Sequence, residues 1–394
     1  MEAPQVDRVS GSSYRARLRA RIERAMTITG TLEELCGACD GASPSAILEI
    51  ARRHNIAPSP VSGKPIVEPV ACDEPEPHPL DFDWRFTKQS ADDLAVMALR
   101  LGGDIACLGT PRVFRALSRR VVASRMLLWD HNPGWLRVFG NRVRRKSVPI
   151  SPDEVADREL HKFTTVIMDP PWYVNHYKTW LHTACLLLQP GGEIIMPLFG
   201  SLLRPRADSQ RRDLQRFIAQ IGSTSSRIMT VTYETPPFER AVLRSRGIDV
   251  GNWRAAEVVR IRVERAPSLP VRLAHKSEWS RFSIGECVVM LRDDCLSADS
   301  IQLSAVSPRY GYCLKSISSR SSVRAKVNLW TSRNHIFQVR GYGRLMIFLQ
   351  NLSVSGEWCV AASQARLSSV ELDSLTPLRL ALAAPQRNST GASA

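Results

Sequence analysis

The period of the apolar positions changes along the chain, and each change marks a segment. From Ser13 to Met26, SYRARLRARIERAM carries helical spacing, and TLEELCGA follows. SPSAILEIARRH then offers Ser43 as N-cap with Pro44 at the first helical position. The spacing predicts an N-terminal helical segment over residues 1–56. Short helices joined by glycine-containing turns fit a helix-turn-helix, and fit a dimerisation or docking bundle equally well. The stretch IAPSPVSGKPIVEPVACDEPEPHPLDFDW is dense in proline and predicts an extended linker over residues 57–80.

Beyond that linker helical and strand patterns alternate. SADDLAVMALRL reads as an amphipathic helix, and GDIACLGT as a buried strand ending at Gly109. PRVFRALSRRV is a helix; SRMLLWDHN is a second strand ending at Asp130; TTVIMDPPW is a third. WLHTACLLLQPGG reads as a helix closed by Gly191 and Gly192, followed by the strand EIIMPLFG and the helix DLQRFIAQIG. RIMTVTYETPPFE and AEVVRIRVE suggest a final antiparallel pair. Such alternation implies an α/β domain over residues 81–272, with a mostly parallel sheet covered on both faces. After it, CVVMLR, RYGYCL, AKVNLWT, HIFQVRGYG and RLMIFLQ predict a β-rich domain over 273–380, and 381–394 read as a polar disordered tail.

Composition narrows the setting. A chain of 394 residues is too long for one ordinary core, and 44% hydrophobic with 23% charged residues describes a globular protein. No apolar run reaches the ~20 residues of a membrane span. The arginine-rich start is interrupted by Glu2, Asp7 and Glu23, which favours a helix of the mature protein over a transit peptide. Nine scattered cysteines make no disulfide framework, so a reducing, cytoplasmic setting is expected. Cys36-Gly-Ala-Cys39 lies among helices without further ligands at metal-site spacing, so no metal is expected there. A net charge of +15 favours polyanionic partners, with nucleic acid first.

The most specific chemistry is Asp169-Pro170-Pro171-Trp172, at the end of the third strand. Open α/β sheets bind ligands beyond the carboxyl ends of their strands, where Gly109 and Asp130 also lie. An aryl amine that must attack a methyl group needs its two N–H bonds accepted. A carboxylate takes one, and a backbone carbonyl fixed by two prolines takes the other. A Trp beside them offers a face for a flat ring. Reactions of this sort depend largely on positioning and electrostatics. Asp130 is a lone acid in a strongly basic neighbourhood, which marks it as a site candidate or else as a capping or ion-paired Asp.

Residues 80–265 resemble a class I S-adenosylmethionine-dependent methyltransferase. DFDWRFTKQSADDLA, ACLGTPRVFRAL, LLWDHNP and VIMDPPW follow the motif order of the family described as probable N6-adenine methyltransferases. The resemblance implies a Rossmann-like sheet and S-adenosyl-L-methionine as cofactor. It places Gly109 and Thr110 against the cofactor's methionine and ribose, and Asp130 on the ribose hydroxyls. It sets Asp169 and the Pro170 carbonyl on the target amine, Pro171 behind them, and Trp172 as the stacking ring. Phe86 and Thr87, in WRFT, would close over the cofactor. The glycine-rich cofactor loop is reduced here to LGTP. The resemblance implies N6-adenine methylation of DNA or RNA. Protein-lysine methylation, polyamine aminopropyl transfer and a catalytically silent nucleic-acid-binding module stand as alternatives.

Two further stretches bear on the partner. Between Ser300 and Gln350 no acidic residue occurs, while Arg309, Lys315, Arg320, Arg324, Lys326, Arg333, Arg340 and Arg344 alternate with Tyr310, Tyr312, Trp330, Phe337 and Tyr342. Basic residues suit phosphates and aromatics suit unstacked bases, although the same pattern fits a solvated basic face over a β core. A second basic run, Arg137 to Lys146, follows the Asp130 strand. In YETPPFE, Pro236, Pro237 and Phe238 read as architecture first and as a substrate wall second. A homodimer is compatible with all of this.

Overall fold

The computed structural model describes residues 6–56, 74–145, 155–267, 279–292, 300–308, 311–314 and 322–383. They form two compact units. The first comprises residues up to Pro75, Asp81–Pro236 and Arg246–Ala274; the second comprises Glu76–Leu80, Pro237–Ser245 and the chain from His275.

Three helices open the first unit: α1 (Val6–Ala25), α2 (Leu32–Ala38) and α3 (Pro44–Arg53). Their starts follow local chemistry. Thr31 and Glu34 form a reciprocal capping box on α2, and the Ser43 side chain accepts from Ala46 N at 3.3 Å with Pro44 behind it. Leu18, Ile22, Leu35, Ile47 and Ala51 are buried.

The α/β core follows with α4 (Lys88–Leu101), β1 (Ile105–Leu108), α5 (Pro111–Ser118), β2 (Met126–Asp130), α6 (Gly134–Phe139), β3 (Val143–Arg145), β4 (Phe163–Met168), α7 (Val174–Leu187), β5 (Leu188–Leu198), α8 (Ala207–Ile221), β6 (Gly222–Thr232) and β7 (Ala255–Val263). The sheet order is β3-β2-β1-β4-β5-β7-β6. β1 to β5 pair in parallel, and β7 runs antiparallel to both β5 and β6. The reversal between β1 and β4 makes the topological switch point where α/β sheets place their ligands. β1 and β2 are buried at every position, which is why they read as continuous apolar runs.

One expectation for this unit changes. Gly191 and Gly192 do not cap α7. The helix ends at Leu187, and both glycines lie within β5, where the register to β4 slips between Phe163 and Thr165. Gly191 takes φ +76°, the left-handed turn this irregularity requires. The basic run from Arg137 also contains the edge strand β3, whose short length hid its period.

The second unit holds α9 (Pro237–Arg244), β8 (Trp279–Ile284), β9 (Cys287–Arg292), β10 (Gln302–Ser304), β11 (Leu329–Thr331) and β12 (Ile336–Arg340), then α10 (Tyr342–Ser355), α11 (Trp358–Gln364), α12 (Ser369–Ser374) and α13 (Thr376–Ala383). Its sheet is antiparallel, in the order β10-β12-β11-β9-β8. Strands form this sheet, but the expected β-rich character does not extend past Arg340, where α10 to α13 follow. RLMIFLQ is helical: Leu345, Phe348, Leu349 and Leu352 are buried at the i, i+3, i+4, i+7 spacing of one helix face. A short apolar run cannot be assigned by its apolarity alone. The segment 57–73 of the expected linker and residues 384–394 of the expected tail lie outside the described residues. No helix among the described residues is long and apolar enough to cross a membrane.

Candidate active site

The candidate site lies at the carboxyl ends of β1, β2 and β4. Asp169 N donates to Leu108 O at 3.2 Å, and Gly109 N donates to Trp129 O at 2.8 Å, so the strand ends remain laced together as the loops begin. Pro170 and Pro171 bring no N–H to be satisfied there. The chain then turns tightly, with Tyr173 N on Pro171 O at 2.6 Å, into α7. Gly109 adopts φ +61°, and a Cβ there would stand 2.7 Å from the Trp180 ring and 3.5 Å from the Asp169 carbonyl. The reduced loop thus keeps glycine where the Trp180 ring of α7 packs against it.

Asp169 sits deep in the unit yet keeps some contact with solvent. Burial pushes its carboxyl up to about 7, opposed by a hydrogen bond from Tyr233, the charge of Arg254 and the Trp172 indole. The Tyr233 hydroxyl donates to Asp169 Oδ1 at 3.1 Å. Tyr233 is held in turn by Phe86, through an antiparallel bridge and a ring contact of 4.8 Å. Trp172 is 7% exposed and meets Tyr233 edge-on at 5.5 Å. The Arg254 guanidinium lies 4.0 Å from the Trp172 ring centroid and 4.1 Å from that of Trp84. Arg204 donates from Nη2 to the Trp172 carbonyl at 2.7 Å, fixing the end of the motif from a second side.

Asp130 occupies the end of β2 and is buried. Desolvation raises its carboxyl to about 6; the neighbouring His131 opposes that rise, and Asp83 and Asp81 add to it. His131 Nε2 lies 3.1 Å from Asp81 Oδ1. Burial depresses the His131 imidazole, but Asp81 and the other carboxylates outweigh it and raise its pKa. Asp130 Oδ1 accepts from Asn132 N at 2.8 Å, and no hydrogen bond among the described residues reaches Oδ2. Thr110 is buried at the start of α5, makes no capping bond, and lies beside the Cys107 thiol.

Asp169, Pro170, Pro171, Trp172, Gly109, Thr110 and Asp130 therefore gather at one rim. Phe86 reaches it through Tyr233. Thr87 is committed to structure: it caps α4 by accepting from Ser90 N at 3.3 Å, and its hydroxyl meets that of Thr232 at 3.0 Å. Arg254 and Arg204 carry no linear signature, and Trp84, although it opens WRFT, is assigned no role by the sequence. Tyr233 begins the YETPPFE stretch, whereas Pro237 and Phe238 fall in the second unit.

Of the basic positions in the C-terminal region, Arg309, Lys315 and Arg320 lie outside the described residues. Lys326 and Arg340 are exposed in the second unit. Arg324 lies over the Trp330 ring at 5.0 Å, and Arg333 Nη1 donates to Leu382 O at 3.1 Å. Trp330 and Phe337 are fully buried, so these two aromatics build the core of that unit. Cys36 and Cys39 are free and buried, and no group of metal-ligating side chains occurs among the described residues.

Residues 81–237 match the family described as probable N6-adenine methyltransferase. That segment carries the domain of an S-adenosylmethionine-dependent methyltransferase. The fold is similar to the branched-chain polyamine synthase of Thermus thermophilus solved with N4-aminopropylspermidine and 5'-methylthioadenosine, at 16% identity and a TM-score of 0.51, over 66% of this chain and 91% of that one. Its C9 mutein gives 15% identity and the same TM-score, over 66% and 90%. A Thermus thermophilus 16S rRNA N2 G1207 methyltransferase, solved with AdoMet and guanosine, is similar at 16% identity and a TM-score of 0.31, over 55% and 51%. No curated protein matches the chain.

The methyltransferase rim fits its cofactor class on its own chemistry. Asp130 Oδ2, at a strand end and without a described donor, is an acceptor suited to a ribose hydroxyl.

Proposed function

We propose that this methyltransferase acts on the exocyclic amine of a nucleobase, with N6 of adenine in DNA or RNA as the target. The observation that carries the reading is the charge state around Asp169. Its carboxyl stands near 7 and has the Arg254 cation as neighbour. An ammonium substrate, whether lysine or polyamine, would need a fully charged acid and would meet a positive group. A neutral aryl amine meets neither obstacle.

In this reading Asp169 accepts one N–H of the amine and the Pro170 carbonyl accepts the other. Both hold the nitrogen lone pair toward the methyl donor. S-adenosylmethionine supplies an electrophilic methyl group when bound, and Asp130 and Thr110 orient it from the neighbouring strand ends. Asp169, ionised near neutrality, is also placed to take the proton that the methylated amine gives up. Tyr233 and Arg204 hold the two ends of the motif so that little positioning entropy is left to lose. The four C-terminal cations Arg324, Lys326, Arg333 and Arg340, with Arg309, Lys315 and Arg320, would meet phosphates in the same reading.

Transfer of label from methyl-labelled cofactor into DNA, RNA and protein tests the proposal. Label should enter nucleic acid, and Asp169→Asn should lower the rate by about 10²–10³-fold. Label entering protein alone, or undiminished in the variant, would sink it.

A further inference from the structure

Away from the rim, α1, α8 and the loop between β5 and α8 enclose a groove of about 620 Å³. Arg17, Arg21 and Arg24 of α1 line it, at the i, i+4, i+7 spacing of one helix face, and Arg211 and Arg212 of α8 face them. The carboxylates lining the groove are Asp40, Asp208 and Glu257, and each already has a partner. Asp208 takes Arg17 at 3.1 Å and Arg212 at 2.6 Å; Glu257 takes Arg211; Asp40 takes the backbone N–H and hydroxyl of Ser201.

Arg21 and Arg24 are left without a carboxylate among the described residues. Both are exposed, and each spends only its Nε, on Ala38 O at 2.6 Å and Ala20 O at 3.3 Å. Arg17 Nε is buried with no hydrogen-bond partner among the described residues. A groove with surplus guanidinium donors and an internal positive excess is built for an anion. Its floor, Ser201 and Leu202, belongs to the same loop as Arg204, which holds the Trp172 carbonyl. One loop thus joins the groove to the DPPW motif.

We infer that this groove binds backbone phosphates of the nucleic-acid substrate, with Arg21 and Arg24 as the contacts. The inference rests on the proposed nucleobase reaction. It gives the N-terminal helices a role in holding the substrate strand by its backbone rather than in reading its sequence.

The test compares wild type, the double variant Arg21→Gln/Arg24→Gln, and Arg19→Gln, whose residue pairs with Glu23 on the same helix and does not line the groove. Binding of a fluorescein-labelled single-stranded oligonucleotide is measured across a salt series, with inorganic phosphate as a separate arm. The double variant should bind more weakly, and the slope of log affinity against log salt should flatten by about 0.7–0.9 per lost contact. Its thermal midpoint and its binding of S-adenosylmethionine should match wild type, and Arg19→Gln should change nothing. An unchanged slope in the double variant overturns the inference. So does a groove that inorganic phosphate stabilises while oligonucleotide binding ignores the two arginines. If wild type labels nucleic acid but the slope does not move, the groove fails and the reaction stands. If binding depends on the arginines and nucleic acid is never labelled, the reaction fails and the groove stands.

Discussion

At the scale of residues, the site is an acid made weak on purpose of geometry. Asp169 is raised to about 7 by burial, while Tyr233 and Arg254 pull it back down. Only its ionised form can take the proton that the methylated amine gives up, so kcat/KM should rise with pH through about 7 and level above it. Removing either opposing influence raises the pKa further. Tyr233→Phe and Arg254→Gln should each move that limb to higher pH, read from pH–rate profiles; a limb that moves down or stays would contradict the assignment. Asp169 and its two prolines were legible because their chemistry is contiguous in the chain. Tyr233 and Arg254 were not, being 64 and 85 residues downstream. Only the pairing of β6 with β7 and the bridge to Phe86 brings them to the acid. Nor could the sequence show that Thr87 would be spent on capping α4.

At the scale of elements, parallel strands announced themselves because burial on both faces made them continuous apolar runs. What failed was β3, short and at the sheet edge, and α10, whose brief apolar run RLMIFLQ mimicked a strand. The LGTP loop keeps one glycine for a packing reason. Gly109 is needed because its backbone stands at φ +61° and a Cβ would run into the Trp180 ring. Gly109→Ala should therefore cost about 1–3 kcal/mol through overpacking, beyond the strain of the left-handed backbone. Denaturant unfolding measures that cost. A variant as stable as wild type would show that the loop has room the geometry denies.

At the scale of the molecule, the N-terminal helices are seated in the methyltransferase unit. The Tyr14 hydroxyl donates to Leu202 O at 3.1 Å, and Leu202 N donates to Asp40 O at 3.1 Å. A Cβ on Gly200 would collide with the Asp40 carbonyl. Deleting residues 1–56 should therefore lower the thermal midpoint and impair the motif that Arg204 steadies. A shortened chain that melts and turns over like wild type would mean that these helices are only carried along. Their helical character was plain from caps and spacing; their docking was not, because backbone contacts at Asp40 and Gly200 leave no side-chain pattern.

That docking has a consequence in time. Asp40 and Ser201 are 161 residues apart. At a synthesis rate of about 5–20 residues per second, the helices wait roughly 8–30 s for the loop that receives them. During that wait Leu202 has not yet emerged, and the part of the bundle that will cover it faces water or a chaperone. Closing so distant a contact belongs late in folding. Helices made ahead of the sheet are thus among the last elements to settle, and substitutions at Asp40 should slow that final step rather than the assembly of the sheet.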